Sequence, residues 1–387
     1  MKYSDYLLID RHFSQEEIII RDTVRAWVAE KFMPRIKEAF KNGTFPMDLV
    51  PEMAELGFFG VKSAEKYGGL GMGNVPYGIM CRELEYGDSG LRSFVSVQNS
   101  LVIYPIERFG SDEQKDKWLP MLISGRAIGA FGLTEPNAGS DPQSMKTHAV
   151  KDGDAYILNG SKQWITNGSI ADVVVVWTKT EDNVVRGFLV ERGMPGFSST
   201  NEENKLSLKA SITSSLFFDD VRIPAANLLP LTKNIGSALS CLNEARYGIS
   251  WGVIGSAMSC YDTALEYAIT RKQFGKPIAS FQLTQEKLVL MLNEMVKAQI
   301  LALEVARLKD EGKSKPTHIS LAKMNNVKMA LAIAREARSV LGANGISLEY
   351  NIIRHMANLE SVYTYEGTNE VHLLAIGKDI TGINAFE

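Results

Sequence analysis

The chain has 387 residues, of which 45% are hydrophobic and 22% are charged, and its formal net charge is −3. This length predicts two or three domains, and the composition is ordinary for a globular protein. The near balance of charges argues against a nucleic-acid-binding surface as the main function.

Cysteine usage and apolar runs indicate a reducing compartment and no membrane segment. Cys81, Cys241 and Cys260 show no CxxC spacing, which suggests neither a disulfide framework nor a metal site. Residues 1–5 (MKYSD) contain no apolar segment of the kind found in a secretory signal. The longest purely apolar run, residues 329–334, is far too short to span a bilayer. We therefore expect a cytoplasmic protein.

The first third of the chain predicts helices. Residues 14–17 (SQEE) have the pattern of a capping box, and apolar residues follow it at helix-face spacing up to residue 32. Residues 48–56, 77–86 and 111–122 predict further helices. The glycine-rich run YGGLGMG at 67–73 lacks the spacing of a dinucleotide-binding loop and follows no predicted strand. We interpret it as a plain loop.

Two changes of pattern divide the rest of the chain. Short runs rich in Val, Ile, Thr and Phe predict strands at 155–158, 163–166, 173–178, 187–191 and 215–218. Helical periodicity returns after residue 230, with long segments at 243–269, 283–309 and 318–341 and a C-terminal helical piece. The sequence thus predicts an α+β multi-domain fold: an N-terminal α-helical domain (1–129), a middle antiparallel β domain (130–232) and a C-terminal four-helix bundle (233–387).

The run TYEGTNE at 364–370 separates two predicted helices, 352–363 and 371–380. It places Glu366 at an interruption beside Gly367, which has no side chain to block a ligand. A carboxylate at such a break is a candidate general base. The plainer interpretation is a solvated residue beside a glycine that ends the first helix.

Three further motifs accompany it in chain order: FGLTEPNAGSD at 131–141, WITN at 164–167 and RKQFGKP at 271–277. Alone, each is typical of a turn, a strand end or a helix end. Together, the four motifs resemble the acyl-CoA dehydrogenase family over nearly the whole chain. The resemblance implies the three domains above, a homotetramer, FAD as cofactor, an acyl-CoA substrate, and electron transfer to an electron-transferring flavoprotein.

The resemblance also implies which residues hold the cofactor. The first two motifs would pack against and bond the flavin ring through Phe131, Leu133, Thr134, Ser140, Trp164, Ile165 and Thr166. Across a subunit interface, the diphosphate and adenosine would meet Arg271, Phe274, Gln282, Ser339, Gly342 and Ala343, and Thr368 and Glu370 would complete the pocket. Ala343 stands where the family often has a second glycine, so the backbone there would approach the FAD less closely.

For the substrate, the resemblance implies Glu366 as the base that takes a proton beside the thioester. The backbone at Glu366 and Gly367 would meet the thioester oxygen, and Ser140 and Arg246 would contact the CoA portion. The segment ELEYGDSGLRS at 83–93, followed by VSVQ at 95–98, resembles the glutaryl-CoA branch of the family. There Arg92 would bind a distal carboxylate, helped by the hydroxyl groups of Ser93 and Thr166.

Two more residues bear on whether carbon dioxide is lost. Glu85 would compete with the substrate for the guanidinium of Arg92, and Tyr365 accompanies it in the decarboxylating branch. Four alternatives remain open: a short-chain (butyryl-CoA) dehydrogenase, a non-decarboxylating glutaryl-CoA dehydrogenase, an acyl-CoA oxidase, and a catalytically idle, nucleic-acid-associated flavoprotein of the same fold. The retained Glu366 and the net charge of −3 argue against the last one.

Overall fold

The computed structural model describes residues 5–386, so residues 1–4 and residue 387 lie outside it. Residues 1–4 belong to the N-terminal segment in which we find no secretory signal. The first third is helical, as predicted. Its helices are α1 (Gln15–Trp27), α2 (Met33–Asn42), α3 (Val50–Glu55), α4 (Asn74–Gly87), α5 (Ser89–Ser96), α6 (Tyr104–Phe109) and α7 (Asp112–Ile123). The glycine-rich run at 67–73 is a loop apart from its first residue, which ends a short 3₁₀ turn.

Capping residues fix where several of these helices begin. The predicted capping box at Ser14 is confirmed, because its hydroxyl accepts from the Glu17 amide while the Glu17 carboxylate accepts from the Ser14 amide. Asp88 separates α4 from α5, and its side chain caps α5 by accepting a hydrogen bond from the Gly90 amide at 2.6 Å. Arg92 therefore lies in the first turns of a new helix.

The middle of the chain forms one sheet of seven strands in the order β1-β4-β2-β3-β7-β6, with β5 paired to β4. The strands are β1 (Gly129–Gly132), β2 (His148–Asp152), β3 (Ala155–Thr166), β4 (Val173–Lys179), β5 (Val185–Glu191), β6 (Phe197–Asn201) and β7 (Thr213–Pro224). Most pairings are antiparallel, as predicted, whereas β1 runs parallel to β4 and β2 meets β4 in parallel at one position. A long connection between β1 and β4, which contains the β2–β3 hairpin, allows that parallel pairing.

The prediction of separate strands at 155–158 and 163–166 is wrong, because both belong to β3. This strand continues through two shifts of register against β7, one beside Gly160 and one before Ile165. Gly160 and Trp164 have φ values of 138° and 62° there. Such bulges bend a strand without ending it, and Trp164 at the second one is 56% exposed.

The last third contains α8 (Ile235–Thr270), α9 (Gln282–Asp310), α10 (Pro316–Val340), α11 (Ile352–Thr364) and α12 (Asn369–Thr381), and β8 (Lys272–Gln273) and β9 (Lys276–Pro277) form a short hairpin between α8 and α9. Helix α8 packs against α4, α9 and α10 and is buried along most of its length. No helix within residues 5–386 has a stretch long and apolar enough to cross a bilayer. The domain boundaries at residues 129 and 232 stay a prediction.

Candidate functional site

A cavity of about 930 Å³ lies where α5, β1, β3, α8 and the connection between α11 and α12 meet. Most of the residues singled out in the sequence line it. They are Arg92, Ser93, Phe131, Leu133, Thr134, Ser140, Trp164, Ile165, Thr166, Arg246, Tyr365, Glu366, Gly367 and Thr368.

Glu366 occupies the predicted break between two helices. Helix α11 ends at Thr364, and α12 begins after Thr368, whose hydroxyl accepts from the Val371 amide. Glu366 adopts a left-handed backbone conformation, with φ of 56°. Within the described part of the chain its buried Oε2 atom has no hydrogen-bond partner. A carboxylate oxygen in that state is available to a ligand's proton.

Burial and charge act in opposite directions on this carboxyl group. Burial raises the pKa of Glu366 to about 7, against the opposing positive charges of Arg246, Lys323 and Arg92. The group therefore holds a proton more tightly than an ordinary carboxylate and is still partly ionised at neutral pH. Those are the properties of a general base.

Two cations hold the backbone of this turn. Arg246 donates from Nε to the carbonyl of Glu366 at 2.6 Å. Lys323, on α10, donates from Nζ to the carbonyls of Tyr365 at 3.0 Å and Gly367 at 2.9 Å. Sequence reasoning did not identify Lys323, and it assigned Arg246 only to the CoA portion. That CoA contact stays a prediction.

Arg92 also lines the cavity, and its side chain is only 2% exposed. Its Nε donates to Oε2 of Glu85 at 2.6 Å, and its Nη2 donates to the hydroxyl of Tyr365. Burial alone would lower the pKa of Arg92, but Glu85 and Tyr365 outweigh it, so the guanidinium stays charged. Burial raises the pKa of Tyr365 to about 12, so its hydroxyl stays protonated.

Glu85 does not line the cavity but lies behind Arg92, and it is completely buried. Its Oε1 accepts from the hydroxyl groups of Ser89 at 2.9 Å and Ser256 at 3.3 Å. Gly252 on α8 faces the pair, where an added Cβ would lie 2.2 Å from Glu85 Oε2 and 3.0 Å from Arg92 Nε. Sequence reasoning did not identify Gly252, although only glycine leaves room for this ion pair.

Another part of the cavity lining suits a large aromatic group. Phe131, Leu133 and Ile165 give it apolar walls, and Thr134 and Thr166 add hydroxyl groups. Behind this wall Lys162 donates to the Leu133 carbonyl and to Glu135, both at 2.9 Å. Glu135 also accepts from the amides of Lys146 and Thr147, which fixes the loop after β1.

The remaining predicted cofactor residues lie outside this cavity. They are Arg271, Phe274, Gln282, Ser339, Gly342, Ala343 and Glu370. Arg271 and Phe274 are exposed in and beside the β8–β9 hairpin, and Phe274 is 93% exposed. Glu370 is exposed in the first turn of α12. Their assignment to a neighbouring subunit's FAD stays a prediction.

Within residues 5–386 no group of three or more His, Cys, Asp or Glu side chains is arranged to hold a metal ion.

The sequence and fold match known proteins along their whole length. Family models described as the N-terminal, middle and C-terminal domains of acyl-CoA dehydrogenase match residues 14–126, 130–221 and 235–381. A short-chain specific acyl-CoA dehydrogenase of Megasphaera elsdenii is 37% identical, over 90% of this chain and 93% of its own.

Two solved structures from Mycobacterium smegmatis are also similar. A glutaryl-CoA dehydrogenase has a TM-score of 0.97 and 52% identity, covering 99% of each chain. Another, solved in complex with FADH2, has a TM-score of 0.96 and 50% identity, covering 98% of each chain. With these matches and a glutamate whose Oε2 atom is buried at the break between α11 and α12, the chain belongs to the acyl-CoA dehydrogenase family.

Proposed function

We propose that this protein oxidises glutaryl-CoA and decarboxylates the product to crotonyl-CoA and carbon dioxide, with Glu366 as the base. The similar proteins include both glutaryl-CoA and short-chain dehydrogenases. Arg92 supports glutaryl-CoA over a short-chain substrate, because it is a buried cation in the wall of the cavity. An acyl chain that ends in a methyl group has no use for a guanidinium, whereas a second carboxylate does.

The environment of Arg92 supports this choice. A buried charge is tolerated when it is paired and hydrogen-bonded, and Glu85 supplies that pairing in the free protein. A substrate carboxylate would add a second anion on the cavity side, close to the hydroxyl group of Ser93. The apolar neighbours Val97 and Leu101 would enclose the methylene groups before it.

Glu366 performs the first chemical step in this proposal. Its Oε2 takes the proton from the carbon next to the thioester, and the electron pair of that C–H bond moves toward the thioester carbonyl. The backbone amide of Glu366 would donate to the thioester oxygen as negative charge develops there. The Oε2 atom is buried in the free protein, and a bound acyl chain would exclude water from it.

We assign FAD to the part of the cavity lined by apolar and hydroxyl side chains, and the FADH2 complex of a similar protein supports this assignment. Leu133, Thr134, Trp164 and Thr166 would hold its ring, and Arg271 would hold the diphosphate of a neighbouring subunit's cofactor. When bound, FAD supplies the acceptor for the hydride that leaves the β-carbon. We assign onward electron transfer to an electron-transferring flavoprotein.

The second half of the reaction needs the carboxylate to be released rather than held. The bond between the γ-carbon and the carboxylate breaks, carbon dioxide leaves, and the electron pair stays as a dienolate. Glu366, protonated in the first step, returns its proton to the γ-carbon. Glu85 and Tyr365 both occupy donors of Arg92. They therefore weaken its hold on the substrate carboxylate, since a tight ion pair would stabilise the ground state against decarboxylation.

Arg92→Met tests the assignment of the substrate. Removing one partner of a buried charge pair costs about 2–5 kcal/mol, so kcat/KM for glutaryl-CoA should fall by roughly 30-fold to 5,000-fold. Turnover of butyryl-CoA should change little or increase. The double variant Arg92→Met/Glu85→Gln, which leaves no unpaired buried charge, serves as the control. Equal losses on both substrates in both variants would contradict a carboxylate-binding role.

Mass spectrometry after a single turnover tests the decarboxylation. We expect crotonyl-CoA and released carbon dioxide. Accumulation of glutaconyl-CoA without either of them would place the protein with the non-decarboxylating enzymes.

We further propose that the protein is a homotetramer located in the cytoplasm. Large apolar side chains are exposed beside the residues assigned to a neighbouring FAD, including Phe274 (93%), Leu283 (73%) and Ile346 (66%). Contact with further copies of the chain would cover them, as in the homotetramer that the family resemblance implies. A cytoplasmic location rests on the sequence alone.

A further inference from the structure

Lys323 is a fully buried lysine to which the proposed chemistry gives no role. It lies on α10, is 0% exposed, and does not line the cavity. Burying an ammonium group is unfavourable unless its donors are satisfied, and an apolar side chain of similar length would avoid that problem. The presence of a lysine at this buried position therefore calls for an explanation in terms of what its amino group contacts.

What it contacts is the backbone on both sides of the base. Its Nζ donates to the carbonyl of Tyr365 and to that of Gly367, at 3.0 and 2.9 Å. Arg246 donates to the carbonyl between them, that of Glu366. Three consecutive carbonyl groups of the turn are thus bonded to two cations on two different helices.

The turn needs such support because its conformation is unfavourable on its own. Glu366 and Gly367 have φ values of 56° and 91°, and a glutamate rarely adopts a left-handed conformation. Residues in that region persist when their surroundings over-determine them. Without the bonds from Lys323, the peptide groups that carry the Tyr365 and Gly367 carbonyls could rotate, and Oε2 of Glu366 would move away from the substrate.

We propose, resting on the assignment of Glu366 as the base, that Lys323 is the positioning residue for this base. It fixes the turn through the carbonyls of Tyr365 and Gly367, and its charge favours the ionised form of the carboxyl group.

The charge of Lys323 lowers the pKa of Glu366, which a residue with a purely structural role would not do. Burial lowers the pKa of Lys323 to about 7, while the Glu366 carboxylate acts to raise it. The other titratable or charged groups that face this pair come from four elements: Arg246 on α8, Arg92 on α5, Tyr365 after α11, and Glu370 and His372 on α12. Removing the positive charge of Lys323 should therefore raise the pKa of Glu366, and the acid limb of the pH profile should move to higher pH.

The test compares three holoenzyme variants by the pH dependence of flavin reduction under single-turnover conditions. Lys323→Met removes both the donors and the charge, and Lys323→Gln keeps an amide donor but no charge. Asn326→Leu is the matched control, because Asn326 is also buried on α10 and donates to the Ser250 carbonyl at 2.8 Å, away from the turn.

We expect Lys323→Met to reduce flavin about 100-fold more slowly, the order of loss that a misplaced catalytic group causes. The midpoint of its pH profile should move to higher pH, and Lys323→Gln should show the same shift with a smaller loss of rate. Asn326→Leu should lose thermal stability without any shift of the midpoint. An unshifted midpoint in both Lys323 variants would overturn the proposal, and so would a loss of rate no larger than that of Asn326→Leu.

This test is separable from the substrate assignment. If wild-type protein oxidises butyryl-CoA but not glutaryl-CoA, the proposed substrate is wrong, and the same comparison is made with butyryl-CoA. If Glu366→Gln reduces flavin at the native rate, the base itself is misassigned, and the role of Lys323 falls with it.

Discussion

The cations around Glu366 moderate a carboxyl group that burial alone would keep protonated. Burial raises its pKa to about 7, and Arg246, Lys323 and Arg92 prevent a larger rise. General-base catalysis is most effective when the pKa of the base lies near the working pH, because proton affinity and ionised fraction are then both substantial. Fewer cations would leave less of the base ionised at neutral pH.

Glu366→Gln should keep the fold and the bound FAD but lose proton abstraction. The amide has nearly the same shape as the carboxyl group and cannot accept the proton, so flavin reduction should slow by about 100-fold to 10,000-fold. Rapid-mixing absorbance measurements of the flavin give this rate. Glu311→Gln, an exposed glutamate after α9, serves as the control. Near-native reduction by Glu366→Gln would mean that another residue is the base.

The rate of flavin reduction in wild-type protein should also depend on pH. Because Glu366 has a raised pKa and must be ionised to act, the rate should fall as pH drops through about 7. An ordinary glutamate would keep the rate constant down to about pH 5. A profile flat between pH 8 and pH 5.5 would contradict the raised pKa.

Some site residues could be predicted from the sequence and others could not. Glu366 and Arg92 stand in motifs that resemble a known family, and the structure places both at one cavity. Lys323 donates hydrogen bonds to backbone carbonyls, and Gly252 leaves room for side chains of another helix. Neither kind of interaction produces a recognisable pattern in the sequence. The available signal for Lys323 was a lysine on the buried face of α10, with Ile319 one turn before it.

Helix α8 links the fold to the site. Its close approach to α4 depends on Gly255, where an added Cβ would lie 1.9 Å from the Arg82 carbonyl. One turn earlier, Gly252 leaves room for the Glu85–Arg92 pair, and Ser256 donates a hydrogen bond to Glu85. The same helix face thus packs the core and positions the group that would bind the substrate carboxylate.

Gly252→Ala should disturb both functions of α8. Its methyl group would meet Glu85 and Arg92, and overpacking of this kind costs about 1–3 kcal/mol of unfolding free energy. Thermal unfolding should show a lower midpoint, and the preference for glutaryl-CoA over butyryl-CoA should fall. Gly377→Ala is the control, because its added Cβ would meet nothing within 4 Å, and alanine in a helix stabilises by about 0.5–1 kcal/mol. If Gly252→Ala kept both stability and selectivity, the proposed packing role would be wrong.

Element types were more predictable than element ends. The long helices α9 and α10 follow from their apolar periodicity. The sequence predicts two strands in place of β3, because Asn159-Gly160 has the composition of a turn. Two π-helical segments, Val28–Phe32 and Val97–Ile103, were not predicted either. Their hydrogen-bond pattern depends on tertiary packing and leaves no period in the sequence.

The surface at the end of α8 and along α9 exposes apolar side chains that the proposed assembly would cover. Arg271 is exposed at the end of α8, and apolar side chains such as Leu283 and Val289 are exposed on α9. If four copies assemble through this surface, the particle mass in solution should be four times 42.8 kDa, which light scattering coupled to gel filtration measures. A particle of one chain's mass that still bound FAD would contradict the proposed assembly.

Arg271→Ala should weaken FAD binding without unfolding the protein. Charge-assisted hydrogen bonds contribute about 1.5–3 kcal/mol, which corresponds to a roughly 10-fold to 150-fold weaker affinity for the cofactor. Titration of the apoprotein with FAD measures this effect. Arg222→Ala, an exposed arginine on β7, should bind FAD as wild type does. Unchanged affinity in Arg271→Ala would remove this residue from the cofactor site.

In the proposed function, the buried guanidinium of Arg92 selects an acyl-CoA with a second carboxylate. Steady-state turnover of glutaryl-CoA and of butyryl-CoA by the wild-type protein, compared as kcat/KM with one artificial electron acceptor, is the measurement that distinguishes the two substrates. We predict that glutaryl-CoA is preferred by at least roughly 30-fold, the lower limit expected for a buried charge pair. Equal kcat/KM values for the two substrates, or a higher value for butyryl-CoA, would show that Arg92 does not select for the second carboxylate.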